Sequence, residues 1–562
     1  MPAACGFLVA VPEPHIHDEF SYLLGADTFA HGRLTNPAPS LPEFFESPHV
    51  LVEPSYNSKY PPGQAMMLAF GQLLTGRPIW GVWISCGLFA ATLCWMLQAW
   101  TPRQYALAVA VLAITTLGTS TYWAQSYFGA MLPASGGALL FGGMRRTLRA
   151  PRASTSVLMA IGVLLLACTR PYEGLLVCAA AAIPLARWLL TDTRIPFPAR
   201  LTSCLLPFSA VLIAGGACLA VHNRAVTGHW ATTPYGIHQR QYFHQGIFLF
   251  SPIRPPERRP VERVASFYRL YKSPPTRGWQ LAGQTAQLLV VRLIRTGAAI
   301  FGVFGSPRGN REPYHGVLLW LVLLLAVVRH VSGKMLAVVL LCVALGEAVL
   351  WWRFAQYPAF LAPLMISVWL VAFSKSFRGD DWGRFITVTI LLVAFGQALI
   401  WWWWPHYAAP VIPLALAGVA ACVHRLRARV VPGHSSPAIG RTVAAVVVTF
   451  VLTSGVLYGL TGVRNIATGG INLQPRTDVK RGLELQGGRH LVFVHYADTF
   501  SVHREWVYNP ASLNDAPVLF VHDLGPEKNA ELMARYPDRL PWNVKVSQGR
   551  TQLEPYRVPA VH

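Results

Sequence analysis

Long apolar runs limit the possible folds of this chain more than any other feature. They recur between Ile79 and Leu460, and many approach the ~20 residues that a helix needs to cross the hydrocarbon core of a bilayer. Charged residues make up only 13% of the chain, whereas a soluble domain has about 25%. The sequence therefore predicts an all-α polytopic membrane protein with about 12–13 transmembrane helices. The predicted crossings include Ile79–Ala99, Tyr172–Leu190 and Leu201–Val221.

The distribution of positive charge predicts how these helices are oriented. The chain has 47 basic and 25 acidic residues, which gives a formal charge of +22. Such a charge would also suit a nucleic acid partner, but the arginines cluster in short loops between apolar runs, where positive charge keeps loops in the cytoplasm. We therefore predict no nucleic acid partner. Loops such as 145–153 are expected inside, and the tail after Leu460 outside.

Four segments follow from this topology. The first is expected to be a remnant of a transmembrane helix, and the second an acidic outer loop with an amphipathic helix on the membrane surface. The third is the multi-pass membrane domain with one long outer loop, and the fourth is a small outer α/β domain. In that last domain we predict strands at His490–Tyr496 and Ala516–His522 and a helix at Lys528–Tyr536. The predicted boundaries are 1–11, 12–64, 65–460 with its outer loop 222–284, and 461–562.

Two adjacent carboxylates, Asp18 and Glu19, open the predicted helix of the first outer loop. A carboxylate is a common general base for a hydroxyl that accepts a sugar. Alternatively, Asp18 only caps the helix and suits its dipole. Adjacent helical residues point about 100° apart, so the two carboxylates are expected to do different jobs.

A single lysine marks the end of the same loop. Lys59 is the only lysine before residue 270, and it lies in the segment YNSKYPPGQ, where the loop re-enters the membrane. Its ammonium could bind a lipid phosphate, with Tyr60 beside it in the site. Alternatively, Lys59 reaches for the headgroups as a snorkelling residue.

Two further outer turns carry polar side chains. Arg170 is a second candidate for a phosphate contact, and Glu173 is one of two acids within apolar runs, where acids are suspected of function. Alternatively, Arg170 and Glu173 pair with each other. His406 and Tyr407 follow a run of tryptophans and could bind a polar substrate, although a lone histidine is often structural. No nucleotide fingerprint, zinc-ligand spacing or paired cysteine spacing is present, so the sequence predicts no metal site.

Taken in order, these segments resemble a known family. The landmarks HDEFSYLLGADTFAHGRLTNP, SKYPPGQ and PHYAAP are similar to those of the GT-C superfamily of membrane glycosyltransferases, family 39-like. The branch resembled is that of dolichyl-phosphate-mannose protein mannosyltransferases and aminoarabinose lipid A transferases. The resemblance extends from Pro12 to about Val423.

The resemblance implies an enzyme of the cell inner (plasma) membrane with its active site outside. It implies a polyprenyl-phosphate sugar as donor, an acceptor that is a glycan, lipid or protein, and an inverting displacement. Asp18 would be the acceptor's base, Glu19 and Tyr22 would also lie at the site, and Lys59 and Arg170 would stabilise the lipid phosphate. A monophosphate donor does not require a divalent metal. The segment 122–133 departs from many relatives, since it has no acidic residue.

Two other functions compete with this interpretation. A polytopic transporter or flippase of lipid-linked saccharides would place its polar groups near the bilayer midplane, whereas here they flank the apolar runs. A scaffold whose tail binds a partner would leave Asp18, Glu19 and Lys59 without a role.

Overall fold

The computed structural model describes most of the chain. The described residues are 3–4, 6, 11–14, 16–118, 121–270, 283, 381–400, 404–428, 475–498, 500–547 and 550–557. The crossings predicted within 284–380 and 429–474 lie outside these residues, as does most of the predicted remnant at 1–11. The total number of crossings therefore stays a prediction.

The described part of the chain is mainly helical. Three of its helices are long and apolar enough to cross a membrane, namely Ile79–Trp100, Pro171–Thr191 and Phe197–Thr227. They coincide with three of the crossings expected from the sequence. In chain order, the helices of the first half are α1 (His17–Ala30), α2 (Pro62–Thr75), α3 (Ile79–Trp100), α4 (Arg103–Leu117), α5 (Met131–Thr147), α6 (Ala153–Thr169), α7 (Pro171–Thr191) and α8 (Phe197–Thr227).

The remaining helices complete the long loop, the membrane region and the C-terminal domain. The loop after α8 contributes α9 (Pro234–Tyr242) and α10 (Glu262–Arg269). The later apolar helices are α11 (Asp381–Ala398) and α12 (Ile412–Ala428), and the C-terminal domain has α13 (Pro475–Gln486) and α14 (Pro526–Arg535).

Helix α5 lies in the middle of the apolar helices, and glycines let its neighbours approach closely. A Cβ atom on Gly136 would lie 2.9 Å from the carbonyl oxygen of Gly162 on α6. A Cβ atom on Gly137 would lie only 2.0 Å from the carbonyl oxygen of Pro410, just before α12. Small residues at such contacts allow helix backbones to pack tightly in a membrane. This packing fixes where the turns before α7 and α12 meet.

The first outer loop combines α1 with a small sheet. Its strands β1 (Asn36–Pro37), β2 (Val50–Leu51) and β3 (Ser55–Ser58) form an antiparallel sheet in the order β1-β3-β2. Helix α1 occurs where the sequence predicts one, but it is not a surface helix with one apolar face. It packs against α2 and β3, and polar as well as apolar residues of α1 are buried. The reason is that a second layer covers it.

That second layer is the C-terminal domain. Its strands β4 (His490–Tyr496), β5 (Val518–His522), β6 (Leu540–Ser547) and β7 (Arg550–Pro555) form one sheet in the order β5-β4-β6-β7. The first three are parallel and β7 is antiparallel. The two predicted strands and the predicted helix are confirmed within two residues, whereas β6, β7 and α13 were not predicted. One apolar core joins Leu24, Phe44 and Val52 of the outer loop to Phe493 and Leu519 of this domain.

Candidate functional site

Asp18 lies at the start of α1, where three side chains surround it: His17, His49 and Tyr60. We call these four residues the aspartate cluster. The Tyr60 hydroxyl donates a hydrogen bond to Oδ1 of Asp18. Oδ2 lies 2.9 Å from Nδ1 of His17 and 3.7 Å from Nε2 of His49. The Asp18 side chain keeps 25% of its surface exposed, so a substrate can reach it.

The charges around Asp18 favour its ionised form. Burial alone would raise the pKa of this carboxyl, but its contacts with His49 and His17 and the charge of Lys59 hold it well below its usual range. Burial lowers the pKa of His49, and nearby Lys59 lowers it further, so the His49 ring is neutral near pH 7. An ionised, accessible carboxylate beside a neutral imidazole can accept a proton.

The backbone holds His49 in an unusual conformation. Its φ angle is 68°, the only positive φ of a non-glycine residue among those described. The His49 N–H donates to the Tyr268 hydroxyl at 3.0 Å, which in turn lies 3.0 Å from Nε2 of His238. The His49 carbonyl accepts a 2.6 Å hydrogen bond from Ser21 of α1. These contacts hold the His49 ring against Asp18.

Lys59 lies in a pocket of aromatic rings. Its Nζ is 5.0 Å from the ring centre of Tyr235, 5.1 Å from that of Tyr60 and 5.6 Å from that of Phe243. The residue is 4% exposed, and within the described ranges no carboxylate lies within 4.0 Å of it. Burial lowers the pKa of Lys59 to about 7, and Asp18 opposes that shift. At neutral pH the side chain is therefore only partly charged, and a bound anion would favour its ammonium form.

Arg170 lies in the turn between α6 and α7. Its guanidinium carbon is 4.4 Å from the ring centre of Tyr407, and Tyr22, Glu173 and Tyr60 lie near its charge. Tyr22 in turn stacks on Tyr60 with ring centres 4.4 Å apart. These contacts connect Arg170 with the aspartate cluster.

The other residues predicted at the site have different surroundings. Glu173 is buried, and no ion pair within 4.0 Å joins it to Arg170 in the described part of the chain, although the charge of Arg170 acts on it. His406 is anchored, since its Nδ1 lies 3.2 Å from the Tyr122 hydroxyl, which also accepts its backbone N–H. Burial lowers the pKa of His406 well below its usual range, the charge of Arg170 lowers it further, and Asp18 opposes that shift.

Glu19 points away from Asp18. One carboxylate oxygen accepts the N–H of Ile16 at 3.1 Å, and the other accepts the N–H of Tyr127 at 3.0 Å. The residue is 2% exposed. Glu19 therefore connects the start of α1 to the segment before α5, and its role at the site stays a prediction.

Sequence reasoning missed three histidines at this site. His17 and His49 flank Asp18, and His503 of the C-terminal domain lies 6.0 Å from His17 between ring centres. The ligand atoms of His17, Asp18 and His49 all lie within 4.8 Å of one another. His17 could have been identified from the sequence, because it is adjacent to Asp18. His49 and His503 could not, because only folding brings these distant segments together.

Comparisons with known proteins give structural neighbours only. No family model matches the chain, and no curated protein matches it. Two similar solved structures are of ArnT from Cupriavidus metallidurans. The apo state has 11% identity and a TM-score of 0.45, covering 97% of this chain and 91% of that one. The state bound to undecaprenyl phosphate has 12% identity and a TM-score of 0.47, covering 97% and 92%.

A third similar structure is an oligosaccharyltransferase from Archaeoglobus fulgidus, tethered to an acceptor peptide. It has 11% identity and a TM-score of 0.35, and the match covers 95% of this chain and 65% of that one. At these identities and TM-scores, the function has to be inferred from the site itself.

Proposed function

We propose that this protein is a membrane glycosyltransferase that uses a polyprenyl-phosphate sugar as donor. It transfers the sugar to an acceptor at the extracytoplasmic face of the inner membrane. The observation that carries this proposal is an accessible carboxylate, Asp18, hydrogen-bonded to Tyr60, together with two basic side chains: Lys59 lies against the Tyr60 ring and Arg170 against the Tyr407 ring.

The position of the site supports a substrate with a lipid tail. Lys59 precedes α2, Arg170 precedes α7 and His406 precedes α12, so each lies where the chain enters an apolar helix. A phosphate on a lipid tail would reach this level while its chain stays in the bilayer. A transporter site would instead lie near the middle of the spans.

The chemistry follows from the two kinds of charge. Asp18 accepts the proton of the acceptor hydroxyl, and the acceptor oxygen attacks the anomeric carbon of the sugar. The bond between that carbon and the phosphate oxygen breaks on the opposite face, which inverts the configuration. The lipid phosphate leaves with the bonding electrons, and Lys59 and Arg170 stabilise its negative charge.

Mass spectrometry of cell-envelope lipids, glycans and proteins tests this function. Cells with the wild-type protein should contain a product heavier by one hexose or pentose, and cells that lack the protein or carry Asp18→Asn should not. Asp381→Asn is the matched control, since Asp381 is an exposed carboxylate paired with Arg384. Identical envelope profiles in all strains would contradict the proposal.

Cysteine labelling of intact cells tests the proposed orientation. Ser512→Cys in the C-terminal domain should react with a reagent that does not cross membranes, and Ala150→Cys should react only after permeabilisation, because arginine-rich loops stay inside. Reaction of Ala150→Cys in intact cells would place the site on the cytoplasmic face.

A further inference from the structure

We propose that the ends of α3, α5 and α11 that are remote from Asp18 bind the phosphate headgroup of an anionic phospholipid. The binding side chains are those of Arg146, Arg149 and Arg152. Helix α5 starts at Met131, just after the segment that contacts the start of α1. Arg146 follows about 15 residues later, which is roughly 22 Å along a helix. The lipid site is therefore separate from the site around Asp18 and does not depend on the proposed function.

Positive charge is concentrated where α5 ends, in a group of arginines that we call the arginine patch. Its members are Arg145, Arg146, Arg149 and Arg152. The sequence has no acidic residue anywhere between Glu53 and Glu173, so α2 to α6 cannot supply a carboxylate to this patch. Cations in the last turn of α5 suit the negative end of its dipole, but this effect does not account for the two arginines that follow the helix.

Carboxylates from later helices do not neutralise the patch either. At the same side of the helices, Asp192 pairs with Arg194 and Asp381 pairs with Arg384. In the part of the chain that the structure describes, no carboxylate lies within ion-pair distance of the three proposed binding residues.

The like charges of the patch also lie close together. Arg149 is near enough to Arg146 for their positive charges to interact unfavourably. A phosphate between these side chains would replace this repulsion with attraction.

Three tryptophans hold two of the arginines in place. The guanidinium carbon of Arg146 is 4.0 Å from the ring centre of Trp95 on α3, and its Nη2 donates to the Trp95 carbonyl at 2.6 Å. The guanidinium carbon of Arg145 is 3.9 Å from the ring centre of Trp382 on α11 and 5.5 Å from that of Trp100 on α3. Tryptophans are enriched at the level of the lipid headgroups, so the patch lies where a lipid phosphate would be.

The chemistry of the patch suits a phosphodiester. Arg149 and Arg152 are exposed, so their N–H groups can reach the headgroup layer. A guanidinium is a planar fork of N–H donors that can bind two oxygens of one phosphate. Basic pockets between membrane helices bind anionic headgroups in this way. Because α6 and α12 pack on α5, a lipid that ties α5 to α3 and α11 should stabilise the whole bundle.

Native mass spectrometry of the purified, full-length protein tests the site, with phosphatidylglycerol as the anionic lipid and phosphatidylcholine of the same acyl chains as the neutral one. The wild-type protein should prefer phosphatidylglycerol. The double variant Arg149→Gln/Arg152→Gln should bind it about 30-fold more weakly, since each basic side chain near an anionic surface contributes roughly five-fold. The double variant Arg194→Gln/Arg384→Gln removes two exposed arginines from the same side and should leave the affinity unchanged.

Thermal unfolding is the second readout. Phosphatidylglycerol should raise the melting temperature of the wild-type protein and of the control variant, but not that of Arg149→Gln/Arg152→Gln. Equal melting temperatures of all three proteins in phosphatidylcholine show that the substitutions do not disturb the fold. The site is disproved if the wild-type protein binds both lipids equally well. It is also disproved if both double variants lose the same affinity, because the attraction would then come from net charge alone. Binding of polyglutamate by a wild-type protein that does not prefer phosphatidylglycerol would assign the patch to an acidic protein partner instead.

Discussion

Asp18 and Glu19 are adjacent on one helix, yet their surroundings have little in common. Asp18 contacts two imidazoles and a tyrosine hydroxyl, and a quarter of its surface is exposed. Glu19 is fully enclosed, and its two oxygens accept backbone N–H groups of Ile16 and Tyr127. One carboxylate faces a space that a substrate can enter, and the other holds two chain segments together.

This difference shows how one turn of helix can serve both reaction and architecture. A carboxylate whose two oxygens accept backbone N–H groups holds chain segments together, whereas Oδ2 of Asp18 faces the rings of His17 and His49. Substitutions along α1 and its neighbours should therefore separate into two groups. One group should affect turnover or donor binding, and the other should affect stability.

Asp18→Asn should have the largest effect. We expect a folded protein whose sugar transfer from a polyprenyl-phosphate donor falls by about 100-fold or more, because a general base contributes about 10²–10⁴-fold. Steady-state transfer by the purified protein measures this, with melting temperature as the folding control and Asp381→Asn as the matched carboxylate. Normal turnover in a stable Asp18→Asn protein would show that Asp18 is not the base, and the proposed difference in role between Asp18 and Glu19 would be lost.

Lys59→Met should weaken donor binding by roughly 10–100-fold, since a charge-assisted contact contributes about 1.5–3 kcal/mol. Methionine keeps most of the side-chain volume between the rings of Tyr235 and Phe243, so the fold should persist. Binding of a polyprenyl phosphate to each variant is the measurement. Lys480→Met, an exposed lysine of α13, should bind as the wild type does. Unchanged affinity in Lys59→Met would favour the snorkelling alternative.

Glu19→Gln should lower the free energy of unfolding by about 1–3 kcal/mol, because one buried N–H would face an amide N–H₂ instead of a carboxylate oxygen. Turnover of the fraction that remains folded should stay close to the wild-type value. Thermal or denaturant unfolding of the purified protein, in parallel with the transfer assay, measures both quantities. A stable Glu19→Gln protein with a large loss of turnover would assign Glu19 to catalysis.

Thr28→Val should have the smallest effect, a destabilisation of about 1 kcal/mol. The Thr28 hydroxyl donates to the carbonyl of Leu24 and accepts from the amide of Asn36, both at 2.8 Å, and valine has nearly the same shape. Turnover and donor affinity should not change. An effect of Thr28→Val on turnover would show that the hydrogen bonds of Thr28 also influence the reaction at Asp18.

Local patterns in the sequence predicted part of this arrangement. The apolar runs predicted α3, α7 and α8, and continuous β-branched and aromatic residues predicted β4 and β5. Adjacency alone predicted that Asp18 and Glu19 would point in different directions. The prediction that α1 is an amphipathic surface helix was wrong. Sequence periodicity does not reveal that Phe493 and Leu519, near the far end of the chain, cover the outer loop.

The missing part of the site has the same physical cause. His49 is a single histidine in a loop, and its contact with Asp18 depends on the turn that gives it a positive φ and on Tyr268 from α10. His503 reaches His17 only through the docking of the C-terminal domain. No spacing rule connects residues that meet only in the tertiary structure.

The joint core of the outer loop and the C-terminal domain has a consequence for synthesis of the protein. Asp27 of α1 accepts a hydrogen bond from the N–H of Ala511, which is 484 residues later in the chain. A ribosome that adds about 5–20 residues per second needs roughly 25–100 s to cover that distance. During this time, the apolar side chains of Leu24, Phe44 and Val52 lack the C-terminal domain that covers them. Nascent chains should thus remain inactive, and exposed to proteases and chaperones, until translation has almost ended.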